Sequence, residues 1–229
     1  MTSSAPYDIY RNIHKALRAY TADTMVRLGR VDHADTEELT AVLAQVRELA
    51  SFTAGHLFHE DRFIHPAMEA RTPGSSKDCA GEHEHHDHAC RKLISLAASA
   101  AQASVDERPL LIKQLYQQLN VFFAESLVHM HAEETENNAV LWATHSDAEL
   151  AAIEQALVAS LTPEEKGISF RWMIPALNPH ERAQLLAGVR RGVPAPVFEG
   201  MLGQVRQLLT EREWTKLATA LELEVMLAA

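Results

Sequence analysis

Two stretches, HLFHEDRFIHPAM at residues 56–68 and HMHAEETENNAVL at 129–141, each place a histidine four residues before a glutamate. Residues advance about 100° around an α-helix, so positions three, four, seven and eleven apart share a face. The face of His56 carries Leu49, Phe52, His59, Glu60, Phe63 and Ala67, and that of His129 carries Leu111, Gln118, Phe122, Glu133 and Val140. Each stripe is mainly apolar apart from its His and Glu residues. A carboxylate on such a stripe points where water is excluded, and burying it unpaired is costly. Any fold this chain adopts must therefore bring a cation or strong donors to Glu60 and Glu133.

The chain around these pairs reads as all-α. Ala, Leu, Glu and Gln are abundant, while nine Gly and nine Pro are few for 229 residues. Four long helical segments are expected. The first runs from about Tyr7 to Leu28 and breaks near Gly29; the second runs from about Thr36 to Ala70 and stops at Thr72-Pro73-Gly74-Ser75. The third starts near Asp78 and continues to about Ala103, and the fourth opens at Asp106 and reaches about Thr144. Such lengths with short connections predict an up-down-up-down four-helix bundle over residues 1–145. Residues 146–229 read as a C-terminal helical appendage of about five short helices. Thr162, Asn178 and Thr210 each stand three residues before a Glu, the capping-box spacing. No repeat is read in this tail, and Trp172 and Trp214 are expected in its own core.

The arrangement of histidines repeats along the bundle. His14 shares a face with Tyr7, Tyr10, Leu17, Thr21 and Leu28, and stands 42 residues before His56. Counting 43 back from His129 reaches His86, inside the tract GEHEHHDHAC. The chain thus reads as two hairpins, each with a lone His on its first helix and His-xxx-Glu on its second. His14, His56, Glu60, His86, His129 and Glu133 would meet in the bundle core, where bundles build metal sites. His83, one turn before His86, is the alternate ligand on the third helix, with Glu82 beside it; His59 is the alternate on the second. His65, His85, His88 and His131 are expected to be solvated, and Cys90 to be a small buried hydrophobe. Four imidazoles, two bridging carboxylates and an oxo or hydroxo bridge would leave about one open position on each of two six-coordinate metals. Iron suits such a donor set, with manganese or zinc as other occupants.

These residues resemble the hemerythrin-like family of cation-binding bundles, the HHE domains, over roughly residues 7 to 145. The resemblance implies a non-haem di-iron centre with roles in oxygen binding, nitric-oxide or redox response, or iron handling. Two departures argue against simple reversible O₂ carriage. The third helix lacks the His-xxx-His pair of the oxygen carriers, and position 134, where their final Asp would stand, is Glu.

The net charge of −10 disfavours nucleic-acid or anionic-membrane partners, which need basic patches. The opening stretch lacks an apolar signal core, and Cys79 and Cys90 match no CxxC pattern, so a cytoplasmic chain with reduced thiols is expected. The leading expectation is a di-iron protein that binds or reacts with O₂, nitric oxide or peroxide in sensing, stress response or iron homeostasis. The alternative is a non-redox module that handles zinc, nickel or manganese, or binds a partner. Its C-terminal helices would then be the surface for a protein partner or a homodimer. No substrate pocket motif argues for an enzyme.

Overall fold

The computed structural model describes residues 6–223, so the first five residues of the opening stretch lie outside the description. The described chain is all-helical. Its long helices are α1 (Arg11–Arg30), α2 (Thr36–Arg71), α3 (Lys77–Gln102) and α4 (Arg108–Ala132). A π-helical turn, Glu133–Asn137, carries α4 on into α5 (Asn138–Thr144). Contacts of α1 with α2, α2 with α3, α3 with α4 and α4 with α1 close these helices into a ring. None of the described helices is long and apolar enough to cross a membrane.

Local chemistry sets the helix limits. Asp35 caps α2 by accepting the Glu37 and Glu38 amides, and those two acidic side chains favour the positive helix start. At the other end Thr72 precedes Pro73 and is driven out of the helical region. Gly74 then adopts φ 87°, a left-handed conformation that favours glycine. The Glu69 carboxylate accepts the Gly74 and Ser76 amides at 2.6 and 2.9 Å, which locks this turn and fixes how α3 leaves α2.

As expected, α1 ends near Gly29, at Arg30, with Gly29 itself still helical. A Cβ at Gly29 would come within 2.9 Å of the Tyr116 ring, so the missing side chain serves the close approach of α1 and α4. Leu43, Leu49, Leu93, Leu115, Leu119 and Phe122 fill the ring interior and are all fully buried. Burying each stabilises the fold by about 1.5–3 kcal/mol relative to exposure.

Five helices follow: α6 (Asp147–Ser160), α7 (Pro163–Ala176), α8 (Pro179–Gly192), α9 (Ala195–Leu208) and α10 (Glu211–Ala220). Their N-caps are Ser146, Thr162, Asn178, Pro194 and Thr210, each sixteen residues after the last. The expectation of no repeat is therefore corrected. Eleven residues after each cap stands an apolar side chain (Leu157, Met173, Val189, Val205, Leu221), and fifteen after the first four stand Leu161, Leu177, Val193 and Leu209. The period was hidden because Pro194 offers no side-chain cap, which breaks the run of capping boxes.

The tail has its own core around Leu186, Phe198, Val205 and Leu217, into which Trp214 packs as expected. Trp172 departs from its expected place: it stacks on Tyr20 of α1 at 4.2 Å and so belongs to the seam with the ring. A salt bridge from Lys15 to Glu181 at 2.6 Å and a hydrogen bond between His59 and Glu165 at 3.2 Å reinforce that seam.

Arg182, 2% exposed, ties the tail together. Its Nε donates to the Ile174 carbonyl at 2.7 Å and an Nη to the Leu177 carbonyl at 2.9 Å, two acceptors that the end of α7 leaves open. Arg182→Ala strips both acceptors of their donor inside the core. It is expected to cost the tail about 3 kcal/mol, read as lost hydrogen-exchange protection in α7 and α8 while α2 and α3 amides stay protected.

Candidate metal centre

The ring interior is apolar along most of its length and becomes acidic and histidine-rich at one level. Glu60 from α2 and Glu133 from the π-helical turn reach that level from two different helices, and both are essentially fully buried. Around them stand His14 of α1, His56 of α2, His83 of α3 and His129 of α4. His14, His56, Glu60 and Glu133 offer ligand atoms all within 4.8 Å of one another, and so do Glu60, His83, His129 and Glu133. The two groups share both carboxylates.

The distances show how the groups interlock. In the first, His14 Nε2 lies 3.3 Å from Glu133 Oε2 and 3.8 Å from Glu60 Oε1, and His56 Nε2 lies 3.2 Å from Glu60 Oε1. In the second, His83 Nε2 lies 3.4 Å from Glu133 Oε1 and 3.7 Å from Glu60 Oε2, and His129 Nε2 lies 3.4 Å from Glu133 Oε2.

The outward edges of three rings are held by carboxylates. His14 Nδ1 donates to Glu134 at 3.1 Å, His83 Nδ1 to Asp61 at 2.8 Å and His129 Nδ1 to Glu82 at 2.8 Å. Arg18 grips Glu134 with both Nη atoms, at 2.7 and 2.9 Å. A carboxylate on Nδ1 keeps the proton there and turns the Nε2 lone pair inward, the arrangement that prepares an imidazole for a metal.

The inward atoms then have nothing to bond. His14 Nε2, both Glu60 oxygens, His129 Nε2 and Glu133 Oε2 are buried without a hydrogen-bond partner. Buried polar groups are ordinarily paired, so this cluster of orphans is the signature of a cation cage. The donor set, imidazole and carboxylate, fits divalent or trivalent cations.

The electrostatics without cations are correspondingly tense. Burial and the neighbouring Glu133 charge push Glu60 up to about 7. Burial alone would also raise Glu133, but the imidazoles of His14 and His83 facing it outweigh that and hold it well below the usual range. For His83, burial is outweighed by Glu133 and Glu60, and the imidazole rises to about 9.

Of the six ligands expected from the sequence, the structure brings five together: His14, His56, Glu60, His129 and Glu133. On the third helix the residue whose ligand atom falls in these groups is the alternate, His83. His86 joins neither group; its ring packs 4.8 Å from that of His129, and burial lowers it to about 4. His59 faces the tail, between Glu165 and Ser160. His65, expected in solvent, is buried and stacks on His83 at 4.9 Å with its Nδ1 on Asp61. His85, His88 and His131 are exposed.

Three further groups reach the centre. The Cys79 thiol lies 3.5 Å from Glu133 and 3.6 Å from His83, and forms a third group with His65, His83 and Glu133. Asn137 donates to the Tyr10 hydroxyl at 3.3 Å and to Cys79 at 3.5 Å. Tyr10 is wholly buried with its ring 5.3 Å from His14. The sequence put Tyr10 on the His14 face but carried no spacing that singled out Cys79.

A family model, the hemerythrin HHE cation binding domain, matches residues 5–141. The match spans more than half of the chain, which therefore belongs to this family of cation-binding domains. No curated protein and no solved structure gives a significant match.

The charge arrangement predicts how the chelated protein responds to pH. His83 stabilises the fold fully below its unfolded value, near 6.5, and loses that contribution as pH rises through about 9. Glu60 acts in the same direction, because a folded carboxylate near 7 costs stability as pH rises from about 4.5 to about 7. Glu133 opposes them only towards acid. His56 and His86, whose imidazoles burial holds below the ordinary value, oppose them up to about pH 6.5. The Tm of chelator-treated protein is therefore expected to fall between about pH 6.5 and about pH 9, and metal reloading to flatten that slope in the same thermal scans.

Proposed function

We propose that this member of the hemerythrin HHE cation-binding family is a non-haem di-iron protein built on an up-down-up-down four-helix bundle. It binds or reacts with O₂, peroxide or nitric oxide, in sensing, stress response or iron homeostasis. The observation that carries this reading is the set of orphaned inward atoms on His14, Glu60, His129 and Glu133. In this reading His14 and His56 would hold one ion and His83 and His129 the other, with Glu60 and Glu133 as the carboxylates that both groups share. His83 replaces His86 as the third-helix ligand because its Nε2 reaches both carboxylates.

When bound, a pair of irons supplies open coordination positions and electrons for a small oxygen- or nitrogen-containing ligand. The chain's own groups set the conditions for that chemistry. Glu134, Asp61 and Glu82 hold three rings in one tautomer and orientation. Tyr10 keeps its phenolic proton, because burial and the charges of Glu133 and Glu60 all oppose phenolate. The apolar layer of Leu49, Leu93 and Phe122 excludes bulk water from one side.

A second reading has one observation of its own. The group His65, Cys79, His83 and Glu133 contains a thiol, a donor that suits zinc in a non-redox metal-handling role. Metal analysis with absorption spectroscopy separates the two. The di-iron reading expects about two irons per chain, near-ultraviolet oxo-bridge absorption after exposure to air, and loss of two-metal loading in Glu60→Ala with little effect of Cys79→Ser. A colourless protein with a single zinc that Cys79→Ser removes would overturn it.

A further inference from the structure

A cavity of about 850 Å³ lies between the ring and the tail. On the ring side its wall includes His56 and Glu60, and on the tail side the repeated helices. Leu157, Met173 and Val189, all eleven residues after their caps, line it, together with Leu161 and Val193, fifteen after theirs. The sixteen-residue period thus sets equivalent apolar side chains from successive helices along one wall. That volume lies within the roughly 300–1,000 Å³ of small-molecule sites, far more than a diatomic gas requires.

The charged residues of the wall define what the cavity can take. Glu154 is held by the Tyr7 hydroxyl, Arg171 by Glu48, and Glu60 belongs to the metal centre. That leaves Lys166, exposed at the mouth, as the lining cation with no carboxylate partner among the described residues. An apolar interior with one unpaired cation at its entrance complements an amphiphile with a single anionic head.

We propose that this cavity binds a long-chain monocarboxylate, its head on Lys166 and its alkyl chain laid along the tail repeats towards His56 and Glu60. Bound there, the chain would line the approach to the His56 side of the metal centre and exclude water from it. The site requires the cavity and not the metals, so it stands apart from the di-iron reading.

Gly167 gives a clean test. It lines the cavity from α7 at an exposed position beside Lys166, and a Cβ built on it meets nothing within 4 Å, so a large side chain fits there and narrows the mouth. A non-glycine residue in mid-helix also costs the backbone nothing. The full chain is titrated with a dansylated undecanoic acid, with palmitate as competitor and metal content measured on the same samples. Saturable binding, displaced by palmitate, is expected. Gly167→Trp should weaken it by at least about tenfold with metal content unchanged. Lys166→Glu should weaken the carboxylate probe by about fivefold and leave the matching fatty alcohol unaffected. Absence of saturable binding to the wild-type chain would overturn the proposal, and so would equal binding by Gly167→Trp. Equal loss of acid and alcohol binding in Lys166→Glu would overturn the placement of the head. Protein that binds the probe but holds no iron would count against the di-iron reading alone.

Discussion

Two carboxylates buried side by side in the middle of a helical ring are the constraint on which the rest of this structure depends. Glu60 and Glu133 repel each other and have lost their water, and among the described residues no arginine or lysine pairs with either. Four imidazoles surround them, three of those braced from behind by further carboxylates. A hydrophobic core would gain nothing from such an assembly, since like-sized apolar side chains would pack there at lower cost. The arrangement makes physical sense when cations sit among the inward atoms, and the long helices are the rigid posts that hold those atoms in place.

Much of this was legible in the sequence because helix periodicity is a strong signal when a polar residue interrupts an apolar stripe. The pairs His56/Glu60 and His129/Glu133 announced their own inward direction, and His14 followed from its aromatic and aliphatic neighbours. The third helix was harder for a physical reason. In GEHEHHDHAC histidines point nearly all the way round the helix, so periodicity cannot choose among them, and counting from one hairpin to the other presumes equal turns. The turn locked by Glu69 fixes where α3 begins and brings His83 level with the carboxylates, with Asp61 opposite its outer edge. His65 was misplaced for a related reason: it lies off the stripe of α2, yet α3 covers it by stacking His83 on its ring.

Cys79 and Asn137 illustrate what a one-dimensional pattern cannot carry. Neither belongs to a recognisable spacing, and they meet only because α3 starts beside the π-helical turn. That turn accommodates one more residue per hydrogen-bonded loop than an α-helix and so changes which side chains follow Glu133 inward; π-turns are often found at functional sites for this reason. The tail was half legible. Its capping boxes were visible singly, but its period emerged only when every helix start was known, including the one that begins with proline.

The equal length of the tail's repeats has a consequence for how this part of the chain can vary. The tail's packing runs mainly between alternate helices, α7 with α9 and α8 with α10, while α6 and α7 lean on α2 and α1 of the ring. A single-residue insertion would throw every later cap and apolar position out of phase, whereas an inserted or deleted unit of sixteen would leave the phase intact. The ring, closed on itself around its carboxylates, has no such freedom. Changes in tail length therefore keep the phase only in steps of sixteen residues, and only beyond α6 and α7, which are anchored on α2 and α1.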